Sequence, residues 1–242
     1  MKALVLRLDS PMLSFGSVMV DQHGFVDRFP GLAMLVGLIG NALGWRHQDF
    51  ELLQQLQDRL DFAARWDVAP ERLVDYQTVD LGQAKMLNAC WTTRGEPEHR
   101  TTGDPRATHQ RYRHYWADGM MSVVITLTGE VRPTANDVAD ALKKPARPLF
   151  IGRKACLPAR PLLDPLTPIV EGDTLAEILD IVPVWSRNGS PVREPRECET
   201  SWPEDAVVSS TADLRRVYDL RDWQNQVPSG SRWRQYGLSG GD

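Results

Sequence analysis

Hydrophobic and polar positions along the chain change period several times, and each change predicts an element. Lys2 to Leu8 (KALVLRL) is a short aliphatic run stopped by Asp9-Ser10-Pro11, which predicts an opening strand. Ser14-Phe15-Gly16 and the polar stretch after it read as a loop. Gly31 to Gly44 is apolar nearly all round, predicting a buried helix that starts near Pro30 and stops at Gly44. Phe50 to Leu60 places Leu52, Leu53, Leu56 and Leu60 on one side, the pattern of an amphipathic helix. Strands are predicted at Phe62 to Val68, at Leu73 to Val79 and, most clearly, at Met120 to Leu127. Thr134 to Leu142 reads as a short helix with Thr134 as N-cap. Leu149 to Ile151 reads as a short strand running into Gly152-Arg153-Lys154.

Between about Leu81 and Trp116 the periodicity breaks down. The stretch is polar and rich in Thr, Arg, His and Gly, and a long insertion of this kind in a compact domain is uncommon and usually functional or disordered. The order strand, helices, strands, insertion, strand, helix, strand suits an α+β, ferredoxin-like (RRM-like) βαββαβ domain. After Pro165 the pattern weakens to a helix at Thr174 to Leu179 and strand-like pieces at Val182 to Trp185, Ala206 to Ser209 and Arg216 to Leu220. Pro228 to Asp242 is Gly/Ser-rich and reads as a loose tail. The expected division is therefore residues 1–163, a ferredoxin-like domain with its insertion at about 81–116, and residues 164–242, a smaller C-terminal β-rich part. No internal repeat is evident.

Charge refines this picture through its distribution more than its sum. The 242-residue chain has a formal charge of −4, which by itself does not suggest a nucleic-acid binder. From Ala141 to Leu163, however, six bases (Lys143, Lys144, Arg147, Arg153, Lys154, Arg160) stand without an acid, whereas 14 acids face 8 bases from Asp164 onward. One electropositive face and a separate acidic region follow from that asymmetry. Cys90, Cys156 and Cys198 form no CxxC pair, so neither a zinc knuckle nor a disulfide framework is supported, and a reducing cytoplasm is the expected location. The longest apolar stretch, Leu32 to Leu43, falls well short of the roughly 20 residues that span a bilayer. Walker-type, HExxH and GxGxxG motifs are missing, so no cofactor or metal is expected.

Several segments, taken in order, resemble the CasD family of type I-E CRISPR surveillance (Cascade) complexes, within the RAMP superfamily. Leu8-Asp9-Ser10-Pro11-Met12-Leu13-Ser14-Phe15-Gly16 is similar to that family's opening pattern. Arg28-Phe29-Pro30 with Gly37-Leu38-Ile39-Gly40 resembles its entry loop and first helix, and Asp75-Tyr76-x-Thr78-Val79 its strand leading to a thumb. Lys144-Pro145 and Phe150-Ile151-Gly152-Arg153-Lys154-Ala155-Cys156-Leu157-Pro158 resemble its second-helix exit and Gly-Arg-Arg/Lys-x-Cys-Pro loop. The resemblance implies a non-catalytic subunit whose ferredoxin-like domain caps the 5′ handle of a guide RNA. It also implies a long thumb hairpin, a CasC-type backbone subunit and a CasA-type large subunit as partners, target DNA only through the assembled complex, and no membrane. Guide cutting belongs to a separate subunit, CasE, in this class. The sequence departs from the family after Pro30, where Gly31-Leu32-Ala33-Met34 replaces a Thr-Lys/Arg-Ser-Gly type start. That leaves the free amides and dipole of the helix N-terminus for phosphate.

Guanidinium groups bind phosphate bidentately and aromatic faces stack unpaired bases, worth about 1–3 kcal/mol per base. On this chemistry, and on the resemblance, the expected RNA-binding residues are Ser14, Phe15, Arg28, Arg94, Arg106, Arg111, Arg113, Lys144, Arg147, Arg153 and Lys154. Tyr115 and Trp116, beside a predicted strand, read as core anchors. Phe15 reads equally as a core plug, and Arg28 as a tie for its loop. Two rival readings stand beside the RNA grip. One is a metal-independent endoribonuclease using His109, Tyr112 and His114 with Lys154. The other is a protein-interaction module without RNA contact, using the acidic C-terminal third.

Overall fold

The computed structural model describes residues 1–80, 90–91, 94, 96–98, 108–192, 196–208 and 212–240. The chain runs through β1 (Lys2–Asp9), β2 (Met12–Leu13), β3 (Gly16–Val20), β4 (His23–Val26), α1 (Leu32–Leu43), α2 (Phe50–Arg59), β5 (Leu60–Val68) and β6 (Glu71–Asp80). It continues through β7 (Cys90–Trp91), β8 (Pro97–Glu98), β9 (Thr108–Ala117), β10 (Met120–Leu127), α3 (Ala135–Lys143), β11 (Ile169–Glu171), α4 (Leu175–Ile181), β12 (Cys198–Pro203), β13 (Asp213–Asp222) and β14 (Val227–Ser239). The fold is mixed α+β and mostly sheet. Among the described residues, no helix is long and apolar enough to cross a membrane.

The central sheet has seven strands in the order β11-β1-β10-β5-β12-β14-β13. All its pairings are antiparallel. Strand β1 is buried on both faces, so it reads as a continuous aliphatic run instead of an alternation. Leu4, Leu6 and Leu8 pack with α1, α2 and α3, whereas Ala3 and Val5 face α4 and Trp202. Arg7 points to the second face and is fully buried. It donates to Asp164 Oδ2 (2.7 Å) and Asp67 Oδ2 (2.8 Å), and Asp67 also accepts from Arg65 Nε (2.9 Å) and the Trp185 amide (2.9 Å). These buried charges are tolerable because each has an opposite partner, and they clamp residues 164–185 onto the sheet.

Helix α1 takes its end charges from elsewhere in the chain. No acid stands in its first turn and no base in its last. The Asp219 carboxylate of β13 accepts the Leu32 amide at 2.8 Å, and Arg147 donates to the carbonyls of Gly44 and Trp45. Both placements complement the helix dipole. Gly44, in the left-handed region at φ 87°, turns the chain out of the helix. Helix α3 is self-sufficient by contrast, with Thr134 and Asp137 forming a reciprocal capping box.

The structure departs from the sequence expectations mainly where pairing is remote. The tail expected to be loose is β14, which pairs β12 and β13, and β12 itself carries no local signal. β14 stays in place because Arg234 is buried over the Phe62 ring (4.1 Å) and donates to Phe62 O (3.0 Å). Leu149–Ile151 and Val182–Trp185 are irregular, and the described part of 206–209 (residues 206–208) is no strand. The insertion begins at residues already paired: β6 and β9 form an antiparallel ladder from Glu71↔Ala117 to Asp80↔Thr108.

Candidate nucleic-acid interface

A second, smaller sheet builds the wall of the site. Strand β9 pairs β6 along its whole length, β2 through Met12↔Ala117, and β4 in parallel through His23↔Tyr112 and Gly24↔Arg113. Strand β3 pairs β4 and closes the edge. Residues 16–26, expected to be a loop, thus form a hairpin docked on β9. Its docking left no local signal, because the parallel join links residues almost ninety positions apart.

Against this wall sits the turn after Ile151. The Ser14 amide donates to Ile151 O (3.2 Å), and the Cys156 amide to Arg153 O (2.8 Å). Gly152 has φ 92°, and a Cβ there would stand 1.6 Å from Ser14 O. Only glycine fits such an approach in the left-handed region. Arg153 then reaches across the joint between β4 and β9. It donates to His114 O (2.8 Å) and Gly24 O (3.0 Å), and lies over the Tyr115 ring (5.0 Å). Gly24 leaves room for it, since a Cβ would stand 2.9 Å from Arg153 Nη2.

Between hairpin, strand and turn opens a cleft of about 450 Å³, whose lining includes Ser14, Met34, Arg111, Arg113, Gly152 and Arg153. Four residues singled out in the sequence therefore converge on it: Ser14, Arg111, Arg113 and Arg153. Arg111 is exposed and has no side-chain partner among the described residues. Arg113 is half-buried and, among the described residues, donates to the neutral Gln77 amide oxygen at 3.2 Å. Among the described residues, no Asp or Glu lines the cleft. Chemically, this is a place for an anion that passes between two arginines.

The other expected residues fare differently. Phe15 is fully buried, 5.9 Å from the Trp66 ring, which is the position of a core plug; Ser14 lines the cleft but is 3% exposed. Arg28 is a tie: it lies between the rings of Trp116 (4.7 Å) and Trp66 (5.2 Å) and forks onto Glu199 at 2.6 and 2.8 Å. Arg147 caps α1. Lys144, Lys154 and Arg94 are exposed and lie outside the cleft lining, and Arg106 lies outside the described residues. Tyr115 and Trp116 are the core anchors expected of them. At the α1 start, one of the amides expected to be free, that of Leu32, is held by the Asp219 carboxylate.

One outer face of the small sheet carries a run of rings. His23 stacks between Phe25 (5.7 Å) and Tyr112 (4.7 Å), each at 11°, and His114 lies 4.8 Å from Phe25. His109 is exposed on β9, and Lys154 is not part of this cluster. Burial, reinforced by the neighbouring His23, Arg72 and Arg153, holds the His114 imidazole below its ordinary value. Burial also pushes the Cys156 and Cys198 thiols up, which keeps them protonated and apolar in character. Among the described residues no group of His, Cys, Asp and Glu is arranged to hold a metal ion.

The family model described as CRISPR-associated protein (Cas_Cas5) matches residues 3–235. The chain is 31% identical over 171 residues to the CRISPR system Cascade subunit CasD of Escherichia coli (strain K12), covering 67% of this chain and 68% of that protein. It is similar to a chain in a solved CRISPR RNA-guided surveillance complex, with a TM-score of 0.65 and 26% identity over 98% of this chain and 88% of that one. A second solved Cas protein shares the fold, with a TM-score of 0.58 at 22% identity over 98% and 93% of the two chains.

Proposed function

Because the chain belongs to the CRISPR-associated Cas5 family, we propose that it is a non-catalytic, RNA-binding subunit of a Cascade-type surveillance complex that grips the 5′ handle of the guide. The observation that carries this reading is the acid-free cleft, where Arg111 and Arg113 stand together in a protein of net negative charge. An RNA end needs such cations, because its phosphates must be neutralised where its bases splay. A ferredoxin-like reading is supported by the order β11-β1-β10-β5, with α1 between β1 and β5 and α3 between β10 and β11. The β6–β9 ladder, which brackets residues 81–107, supports a projecting thumb. CasC-type and CasA-type subunits are the proposed protein partners, and target DNA is met only through the assembly.

Co-expression with neighbouring genes and a repeat-spacer RNA, with a tag on this chain, tests the reading. A large complex holding a guide of defined 5′ end is expected, and Arg111→Glu/Arg113→Glu lowers guide retention without loss of the folded chain. Unchanged retention refutes the cleft assignment. A discrete metal-independent cut of repeat RNA by the purified chain refutes the non-catalytic role.

A further inference from the structure

The hairpin of β3 and β4 joins the rest of the fold through a narrow seam. All five residues of β3 are exposed, Val18, Met19 and Val20 among them, and among the described residues β3 pairs only β4. Strand β4 meets β9 through the pairs His23↔Tyr112 and Gly24↔Arg113, and the Tyr112 amide donates to Gln22 O at 2.9 Å. Rings fill one side of the seam. Tyr112 and His114, two apart on β9, share a face. His23 stacks on Tyr112 (4.7 Å), Phe25 lies against His114 (4.8 Å), and the two imidazoles stand 5.8 Å apart. His23 Nδ1 and His114 Nε2 are buried, and neither has a hydrogen-bond partner among the described residues. The same hairpin walls the arginine cleft, to which it contributes Ser17, Met19, Gln22 and Gly24.

We propose that this hairpin is an acid-sensitive flap, docked on β9 while His23 and His114 are neutral and released as a unit when the pair takes up protons. Protonation makes both nitrogens of an imidazole donors, so a charged N–H would stand buried without an acceptor. The charged groups acting on His114 are His23 of β4, Arg72 of β6 and Arg153 of the turn after Ile151, with no carboxylate among them. Tyr76 of β6 and Tyr112 complete the ring layer, β3 carries no charged side chain, and Arg28 over Trp116 is already held by Glu199. Burial and these neighbours favour neutral His114 in the docked state. Docking is therefore fully supported above about pH 6.5 and weakens as pH falls through the lower docked-state value. Each proton taken up on release changes the docking equilibrium by up to about tenfold per pH unit. Asp27, at the base of the hairpin, works in the opposite sense. Burial raises its carboxyl, so its protonation stabilises the docked state in acid. When the flap leaves, Ser17, Met19 and Gln22 leave with it, so the cleft keeps this wall only near neutral pH, whatever anion fills it.

Residue-resolved amide hydrogen exchange of the full-length chain between pH 7.5 and 5.5, corrected for intrinsic rates, tests the flap without any ligand. The Tyr112 amide, whose bond crosses the seam, reports docking, and the amides of β1 and β10 report opening of the whole fold. Tyr112 is expected to lose protection about tenfold over that range while β1 and β10 keep theirs. His23→Phe/His114→Phe keeps the rings without the titration and is expected to cut the loss to less than about twofold. His23→Gln/His114→Gln, polar but never charged, takes its place if the Phe pair does not fold. Unchanged Tyr112 protection in the parent overturns the flap. An equal loss in β1 and β10 overturns it too, because the whole fold then opens. A loss that persists in the histidine-free variants also overturns it, because the titrating group then lies elsewhere.

Discussion

Asp219→Asn isolates the electrostatic tie between β13 and α1. In the native chain the Asp219 carboxylate accepts the Leu32 amide (2.8 Å) and receives Arg232 Nε and Nη2 at 3.0 and 2.9 Å, with both side chains mostly buried. Asparagine keeps an acceptor at the same position and removes the charge. The lost interaction with a partly buried helix N-terminus is worth about 1 kcal/mol. Replacing a charge-assisted bond from Arg232 by a neutral one costs about 1 kcal/mol more. Arg232 retains Asp61 at 3.2 Å, so no charge is left stranded. The expected loss is about 2 kcal/mol, or about 4–8 °C in Tm for a chain of this size. Asp219→Ala also orphans the Leu32 amide and adds about 1–2 kcal/mol. Urea unfolding followed by circular dichroism reads both, with the m-value unchanged if only the native state is affected. If both variants lie within about 0.5 kcal/mol of the parent, the helix does not depend on the borrowed charge and the reasoning fails.

Asp67→Ala should cost about 3–5 kcal/mol, because Arg7 loses one of its two carboxylate partners and Arg65 its carboxylate while both stay buried; an unchanged urea midpoint would sink the view of this cluster as a clamp. Gly152→Ala forces a left-handed conformation and a backbone clash with Ser14, so a large fall in Tm together with loss of RNA binding is expected, and a Tm within about 1 °C of the parent contradicts it. His114 has a folded-state pKa below its unfolded value of about 6.5. Its neutral form is therefore favoured by folding, and stability present above about pH 6.5 is lost as pH falls toward the lower folded value. His114→Phe should remove part of the fall in Tm between pH 7.5 and 5.5; an identical fall in parent and variant would show that another group titrates.

Local chemistry was enough to read the elements that bury their own faces. The aliphatic run of β1, the helices from Leu32 and Phe50, the capping box at Thr134 and strand β10 were all legible, because hydrophobic period and capping act within a few residues. The basic run from Lys143 to Arg160 and the arginines of β9 were likewise visible as charge. What tertiary structure alone decided is which of those charges are free. Arg28, Arg147 and Arg153 look in sequence like Arg111, yet the first is held by Glu199 and the other two cap or brace backbone carbonyls. The docking of the 16–26 hairpin on β9, the pairing of β12 with β5 and the carboxylate at the α1 start were hidden for one physical reason. Their partners stand tens to nearly two hundred residues away, and a pairing that closes so long a loop leaves no periodic trace in the segment that makes it.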